Sequence, residues 1–191
     1  MSDTNEWEAR YREGRTGWQR AAVSPALLEW LADGTLKPGR ILVPGAGRSH
    51  EPLRLAQAGF HVTTLDIAPS AVAHQHAALA ARGGVALEGD VLSFLPGEPF
   101  DAVYEQTCLC ALPPAMLPDY AAQLARWLRP GGVLAALFMQ TGREGGPPFD
   151  CPLPRMRKLL PEATWRWPAR RWPDVHHADS MSEVAVALLR V

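Results

Sequence analysis

From Arg40 onward the chain alternates short apolar runs with longer stretches whose apolar residues recur at helical spacing. Ile41-Leu42-Val43, His61 to Leu65, Val85-Ala86-Leu87, Phe100 to Tyr104 and Val133 to Phe138 are too short for stable helices and predict five buried strands. Between them, His50 to Ala58 (closed by Gly59), the Ala-rich Pro69 to Arg82, and Ala115 to Leu128 predict helices. Pro130-Gly131-Gly132 predicts a turn into the fifth strand. Strands alternating with helices over short loops give a parallel, doubly wound α/β sheet. In such sheets a ligand sits where the carboxyl ends of the strands open.

The flanks follow other rhythms. Asn5 to Glu13 predicts a short helix, capped by Ser2, Asp3 or Thr4, with Trp7 and Tyr11 four residues apart on one face. Gly14, Thr16 and Gly17 break it, and Ser24-Pro25 starts a second helix through Leu27, Leu28, Trp30 and Leu31 that ends at Gly34. Three large aromatics, Trp7, Tyr11 and Trp18, stand in a segment too polar to fold alone. Residues 1–33 are therefore expected to form a helical cap, or a lid hinged at Gly14 and Gly17, on an α/β core of residues 40–191, within a single domain of 1–191. Toward the end, Pro154 to Leu160 predicts a helix and Thr164 to Trp167 a strand. Glu183 to Val191 is a strand or a buried helix, with Val184, Val186 and Val191 favouring strand.

Composition narrows the classes. The 191 residues are 47% hydrophobic and 20% charged, enough for a proper core. A net charge of −1 offers no footing for nucleic acid or an anionic membrane. The longest apolar run, Val133 to Met139, is far short of a spanning helix, and the charged first thirty residues do not read as a secretory signal, so a cytoplasmic protein is expected. Three cysteines, Cys108, Cys110 and Cys151, give neither a disulfide framework nor a CxxC pair, and the six histidines lack ligand spacing. No metal site is expected.

The chemistry concentrates at three successive strand ends. Gly45 and Gly47 form a Gly-x-Gly turn that lets backbone approach a ligand. Asp66, nineteen residues after Gly47, is placed to accept from both hydroxyls of a ribose, and Asp90 follows the third strand, where it can accept from an adenine amino group. Either acid alone could be an ordinary helix cap. A nicotinamide-dependent oxidoreductase shares the turn and the acid but wants a small residue at the third glycine position, where His50 stands.

With FDAVYE at Phe100–Glu105 and RPGG at Arg129–Gly132, this order of motifs resembles the class I S-adenosylmethionine-dependent methyltransferases. TGW at Thr16–Trp18, SPALLEWL at Ser24–Leu31, LDIAPSAV at Leu65–Val72, CALPP at Cys110–Pro114 and GGPPF at Gly145–Phe149 resemble the thiopurine S-methyltransferase superfamily, closest to its thiol and halide methyltransferase branch. The resemblance implies a Rossmann-like seven-stranded sheet with its last strand antiparallel, helices on both faces, and S-adenosyl-L-methionine as cofactor. It implies that Trp18 closes over the methionine part. The turn Pro44, Gly45, Ala46 and Gly47, then Asp66 with Ile67 and Asp90 with Val91, would bind the nucleoside. Glu105 and Gln106 would line the cofactor's amino-acid end and the substrate pocket. Gln19, Arg20 and Ala21 depart from the family's pattern after the tryptophan, and Gln106 stands where relatives carry Arg or Tyr, which leaves the acceptor open.

Methyl transfer from a sulfonium is an in-line displacement, so the protein's task is alignment at ~3–3.5 Å and exclusion of water. A thiol near pKa ~8.5 needs modest help to ionise, and Glu105, Gln106 and Tyr11 are the expected catalytic residues, with Tyr104, His50 and His176-His177 as further candidates. The expected partner is a small-molecule acceptor, and the expected state a monomer or weak homodimer. A non-catalytic S-adenosylmethionine-binding module is the remaining alternative to an enzyme.

Overall fold

The computed structural model describes residues 4–177 and 181–191. Helix α1 spans Thr4–Arg12 and α2 Pro25–Ala32; two of the candidate caps, Ser2 and Asp3, lie outside the described residues. Then come β1 (Arg40–Pro44), α3 (Glu51–Gln57), β2 (His61–Asp66), α4 (Pro69–Leu79), β3 (Val85–Glu88) and β4 (Phe100–Gln106). They are followed by α5 (Leu117–Trp127), β5 (Leu128–Gln140), α6 (Leu153–Leu159), β6 (Trp165–Arg166), β7 (Val175–His176) and β8 (Ser182–Arg190). Prolines at the first turns of α2 to α6 account for clean starts, since the missing N–H costs nothing there.

The strand order is β3-β2-β1-β4-β5-β8-β6. The first five are parallel, and β8 runs antiparallel to β5 with Val133 opposite Leu189 and Gln140 opposite Ser182. The expected seven-stranded path with an antiparallel last strand is present. The sheet has an eighth member, the two-residue β7, which pairs the start of β8. The final segment resolves to strand. The expected Pro130-Gly131-Gly132 turn lies inside β5, where the register with β4 shifts, so the residues form a bulge in a long strand rather than a corner. Gly132 fits because a side chain there would meet the carbonyl of Arg129 at 2.9 Å and that of Asp101 at 3.1 Å.

Both faces of the sheet are covered. On one, Tyr120, Leu124 and Trp127 of α5 and Met156 of α6 pack on Leu42, Val103, Leu134, Ala136 and Leu188. On the other, Leu27 and Trp30 of α2, Leu55 of α3 and Leu79 of α4 pack on Ile41, Val43, Tyr104, Ala135 and Ala187. Alternate residues of one strand serve opposite cores, as the pleat requires. No helix among the described residues is long and apolar enough to cross a membrane. Helix α1 joins neither large core. Tyr11 packs with Ala68 and Ala71, with Trp7 and Trp18 against them, and Glu8 accepts from the Ser70 hydroxyl at 2.6 Å and its backbone N–H at 3.0 Å. These contacts set α1 across the carboxyl ends of the strands.

Candidate functional site

The turn after β1 is built tightly. Gly45 and Gly47 both have positive φ, 56° and 54°. A side chain at Gly45 would stand 2.8 Å from Cys108 Cβ, and one at Gly47 would stand 2.5 Å from Tyr11 Oη. Gln75 donates to the carbonyls of Gly47 and Ser49, each at 3.0 Å, and holds the turn from α4. Asp66, 8% exposed at the end of β2, accepts from the Gly47 N–H at 2.8 Å and the Ala68 N–H at 2.9 Å. Burial pushes its carboxyl up, against those two hydrogen bonds, which favour the charged form. Each oxygen, with one backbone donor, keeps a lone pair for a ligand.

The turn, Asp66 and the β3 end open on one cleft of about 430 Å³, within the usual range for a small-molecule site. Trp18, Gly45, Asp66, Ile67, Asp90, Val91 and Tyr11 line it. Asp90 also accepts from the Leu92 N–H at 2.9 Å and so starts the turn that follows. Trp18 stands edge-on to both Trp7 and Tyr11, with ring centroids 5.5 and 5.7 Å apart. Burial and the neighbouring Asp66 raise the Tyr11 phenol, so at neutral pH it can donate a hydrogen bond but does not serve as a base.

A small polar recess adjoins the cleft. Ala46, Gly47, Gln106, Arg20 and Glu51 line it, while Trp18, Gly45 and Thr107 line both spaces. Pro44 lines neither; it is buried at the end of β1. Glu105 requires a correction. It was expected beside the cofactor, yet it is 0% exposed and absent from both walls. The pleat of β4 sends Tyr104 and Gln106 to one face and Glu105 to the other. There it accepts from the Leu109 N–H at 2.6 Å, and burial lifts its carboxyl to about 8. At neutral pH it is mostly a protonated structural group.

The far wall is soft and apolar: Cys110, Leu112, Met139, Pro147, Pro148 and Met181, with His177 among them. GGPPF is tied to CALPP here, since the Phe149 N–H donates to the Cys110 carbonyl at 2.7 Å. Burial raises the thiols of Cys108, Cys110 and Cys151, which keeps them neutral. Thr107, with φ 63°, was not anticipated. A β-branched residue in the left-handed region is strained, and nothing in the local sequence announces it. Of the further candidates His176 and His177, only His177 faces the cleft. The signal, a histidine six residues before an inward-facing Glu183, becomes meaningful only with the β7–β8 pairing. No group of three or more His, Cys, Asp or Glu among the described residues could hold a metal ion.

Residues present at the three strand ends suit S-adenosylmethionine. Positive-φ glycines bare the backbone, Asp66 has acceptor capacity left, and Asp90 with the apolar Val91 stands one strand further on.

The family model for thiopurine S-methyltransferase matches residues 2–187. A probable thiol methyltransferase 2 of Arabidopsis thaliana is 31% identical over 159 residues, covering 81% of this chain and 70% of the relative. A thiopurine S-methyltransferase of Azotobacter vinelandii is 32% identical over 190 residues, covering 88% and 86%. Among solved structures, the Burkholderia thailandensis 1,6-didemethyltoxoflavin-N1-methyltransferase, with bound 1,6-didemethyltoxoflavin and S-adenosylhomocysteine, superposes with a TM-score of 0.73 at 23% identity. The match covers all of this chain and 91% of that one.

Proposed function

The chain belongs to the thiopurine S-methyltransferase family and is an S-adenosylmethionine-dependent methyltransferase, and from that premise we propose that its acceptor is a small soft nucleophile. A thiol is the first candidate, followed by thiopurine-like sulfur, another chalcogen or halide. The observation that carries this is the acceptor wall. Cys110, Met139 and Met181, with Leu112, Pro147 and Pro148, offer polarizable and apolar contact beside the strand ends. Such a wall suits a weakly hydrated, polarizable atom and offers little to a hard, strongly hydrated oxygen nucleophile.

When bound, S-adenosylmethionine supplies an electrophilic methyl group on a positively charged sulfonium. In our reading Asp66 accepts from the ribose hydroxyls with its remaining lone pairs, and Ile67, Asp90 and Val91 take the adenine side. Gly45 leaves the cleft, and Ala46 and Gly47 the adjoining recess, free of bulky side chains, with Pro44 at the end of β1 beside them. Trp18 and Tyr11 cover the opening and exclude water, and Gln106 lines the recess beside the methionine end. We assign the chain as one domain acting in the cytoplasm as a monomer or weak homodimer.

The test has two stages. Calorimetry should show binding of S-adenosylhomocysteine and none of NADH. Product analysis should then find methylated product from at least one of iodide, hydrosulfide, aliphatic and aromatic thiols, thiopurines, or selenium and tellurium oxyanions. Cofactor binding with no product from the whole panel would mean a binding module.

A further inference from the structure

His177 lies on the acceptor wall of the cleft with a side chain 11% exposed. Its Nε2 is 2.9 Å from Oε2 of Glu183, which is fully buried on β8. The same Glu183 oxygen accepts from the Gln106 amide at 2.9 Å, and the Gln106 carbonyl accepts from the Tyr104 hydroxyl at 2.7 Å. A buried carboxylate with an imidazole on its open side is costly unless the two interact. At this distance the two make a close charge contact without an aligned hydrogen bond; it turns Nε2 toward Glu183 and leaves Nδ1 as the nitrogen able to take a proton. His177 is also the one imidazole among the described residues lining the cleft, and the other side chains of the acceptor wall cannot act as bases at neutral pH.

We propose that His177 is the proton acceptor for thiol substrates, with Glu183 as its positioning residue, anchored in turn through Gln106 and Tyr104. The proposal rests on the reading of the cleft as a soft-nucleophile methyltransferase site. Nδ1 takes the proton from the S–H as the thiol is committed. The thiolate sulfur forms a new S–C bond to the donor methyl while the bond from that carbon to the sulfonium sulfur breaks. The electron pair of the broken bond remains on that sulfur, which becomes neutral. The imidazolium then returns its proton to water, so no oxidant or further reactant is needed.

Magnitude limits the effect usefully. A thiol of pKa ~8.5 is ionised about one part in thirty at pH 7, so a base can recover roughly thirtyfold for such a thiol and more for a weaker acid. The experiment compares wild type with His177→Gln at pH 7 on 2-mercaptoethanol, which carries its proton, and on 4-nitrothiophenol, which is already ionised in neutral water. The expected kcat/KM loss is about ten- to thirtyfold for the first and at most about twofold for the second. Glu183→Gln should shift the two substrates in the same unequal way but less. In the dead-end complex with S-adenosylhomocysteine, calorimetry should show weaker binding of 2-mercaptoethanol by His177→Gln, with the nucleoside affinity and Tm near wild type. Equal losses on both thiols would make His177 a wall residue only, and no loss on either would overturn the proposal outright. If the wild type turned over neither thiol, thiols would lose their place as the first candidate acceptor. Unchanged binding of 2-mercaptoethanol by His177→Gln would then overturn the histidine's role separately.

Discussion

Asp66 has two duties at one carboxylate. It holds the glycine turn through the Gly47 and Ala68 N–H groups, and its remaining acceptor capacity faces the cleft. Asp66→Ala should therefore weaken S-adenosylhomocysteine binding by about 1.5–3 kcal/mol, the scale of hydrogen bonds to a charged group. It should also lower Tm by a few degrees, because two buried N–H groups lose their partner. Calorimetry together with a melting curve checks both; full affinity in the variant would remove Asp66 from the ligand's contacts. Gly47 is the complementary case. With φ of 54° and the Tyr11 hydroxyl 2.5 Å from where its Cβ would stand, Gly47→Val strains the turn and also pushes α1 off the cleft. Binding of S-adenosylhomocysteine should fall below detection in a chain whose circular dichroism stays that of an α/β sheet. Retained affinity would show that the turn merely connects β1 to α3.

At the scale of elements, α1 stands apart from both large cores. Its anchors are Glu8 on Ser70, Tyr11 over Gly47, the edge-on tryptophans, and Arg48 above the Tyr11 ring at 5.1 Å. None of these belongs to the two large cores, so deleting residues 1–20 should leave the sheet folded. Turnover should drop far more than Tm, because the cleft loses Trp7, Tyr11 and Trp18 together. If the segment opens and closes, trypsin cleavage between Arg12 and Arg20 should slow under saturating S-adenosylhomocysteine. An unchanged cleavage rate would leave a permanently docked helix. The strands that carry the site were legible because Ile41-Leu42-Val43 is buried on both faces and is soon followed by Gly45, and His61–Leu65 buries its carboxyl half and runs into Asp66. The two-residue β6 falls inside the strand expected over Thr164 to Trp167, whereas β7 has no signal of its own, since pairing with β8 defines it more than its sequence does. The bulge at Pro130-Gly132 looked like a turn because glycine and proline mark both.

For the whole molecule, the same division holds for the site. Gly45, Asp66 and Asp90 could be placed from local spacing, since each closes or follows a local unit, and Trp18 from the resemblance of TGW to the family's motif. Glu105 and His177 could not, because their surroundings depend on turns that spacing does not announce: the Leu109 N–H folds back onto one within four residues, and Glu183 meets the other only once β7 pairs with β8. Burial of Glu105 has a consequence for overall stability. Its carboxyl rises from an ordinary 4.5 to about 8, chiefly by desolvation. The folded chain therefore holds a proton there that the unfolded chain has released, and stability falls as pH rises from about 4.5 to about 8, then levels off. The depressed carboxylates, Glu8, Asp33 and Asp101, act with the opposite sign and at lower pH, where their stabilisation is lost on protonation. The variant Glu105→Gln keeps an oxygen for the Leu109 N–H and cannot titrate. Its Tm relative to wild type should climb steadily between pH 5 and pH 8 and stay flat above pH 9, with the other groups cancelling in the difference. A Tm difference that is constant from pH 5 upward would mean that Glu105 is ionised inside the fold, and that some group in the β4–α5 wall supplies it with a counter-charge.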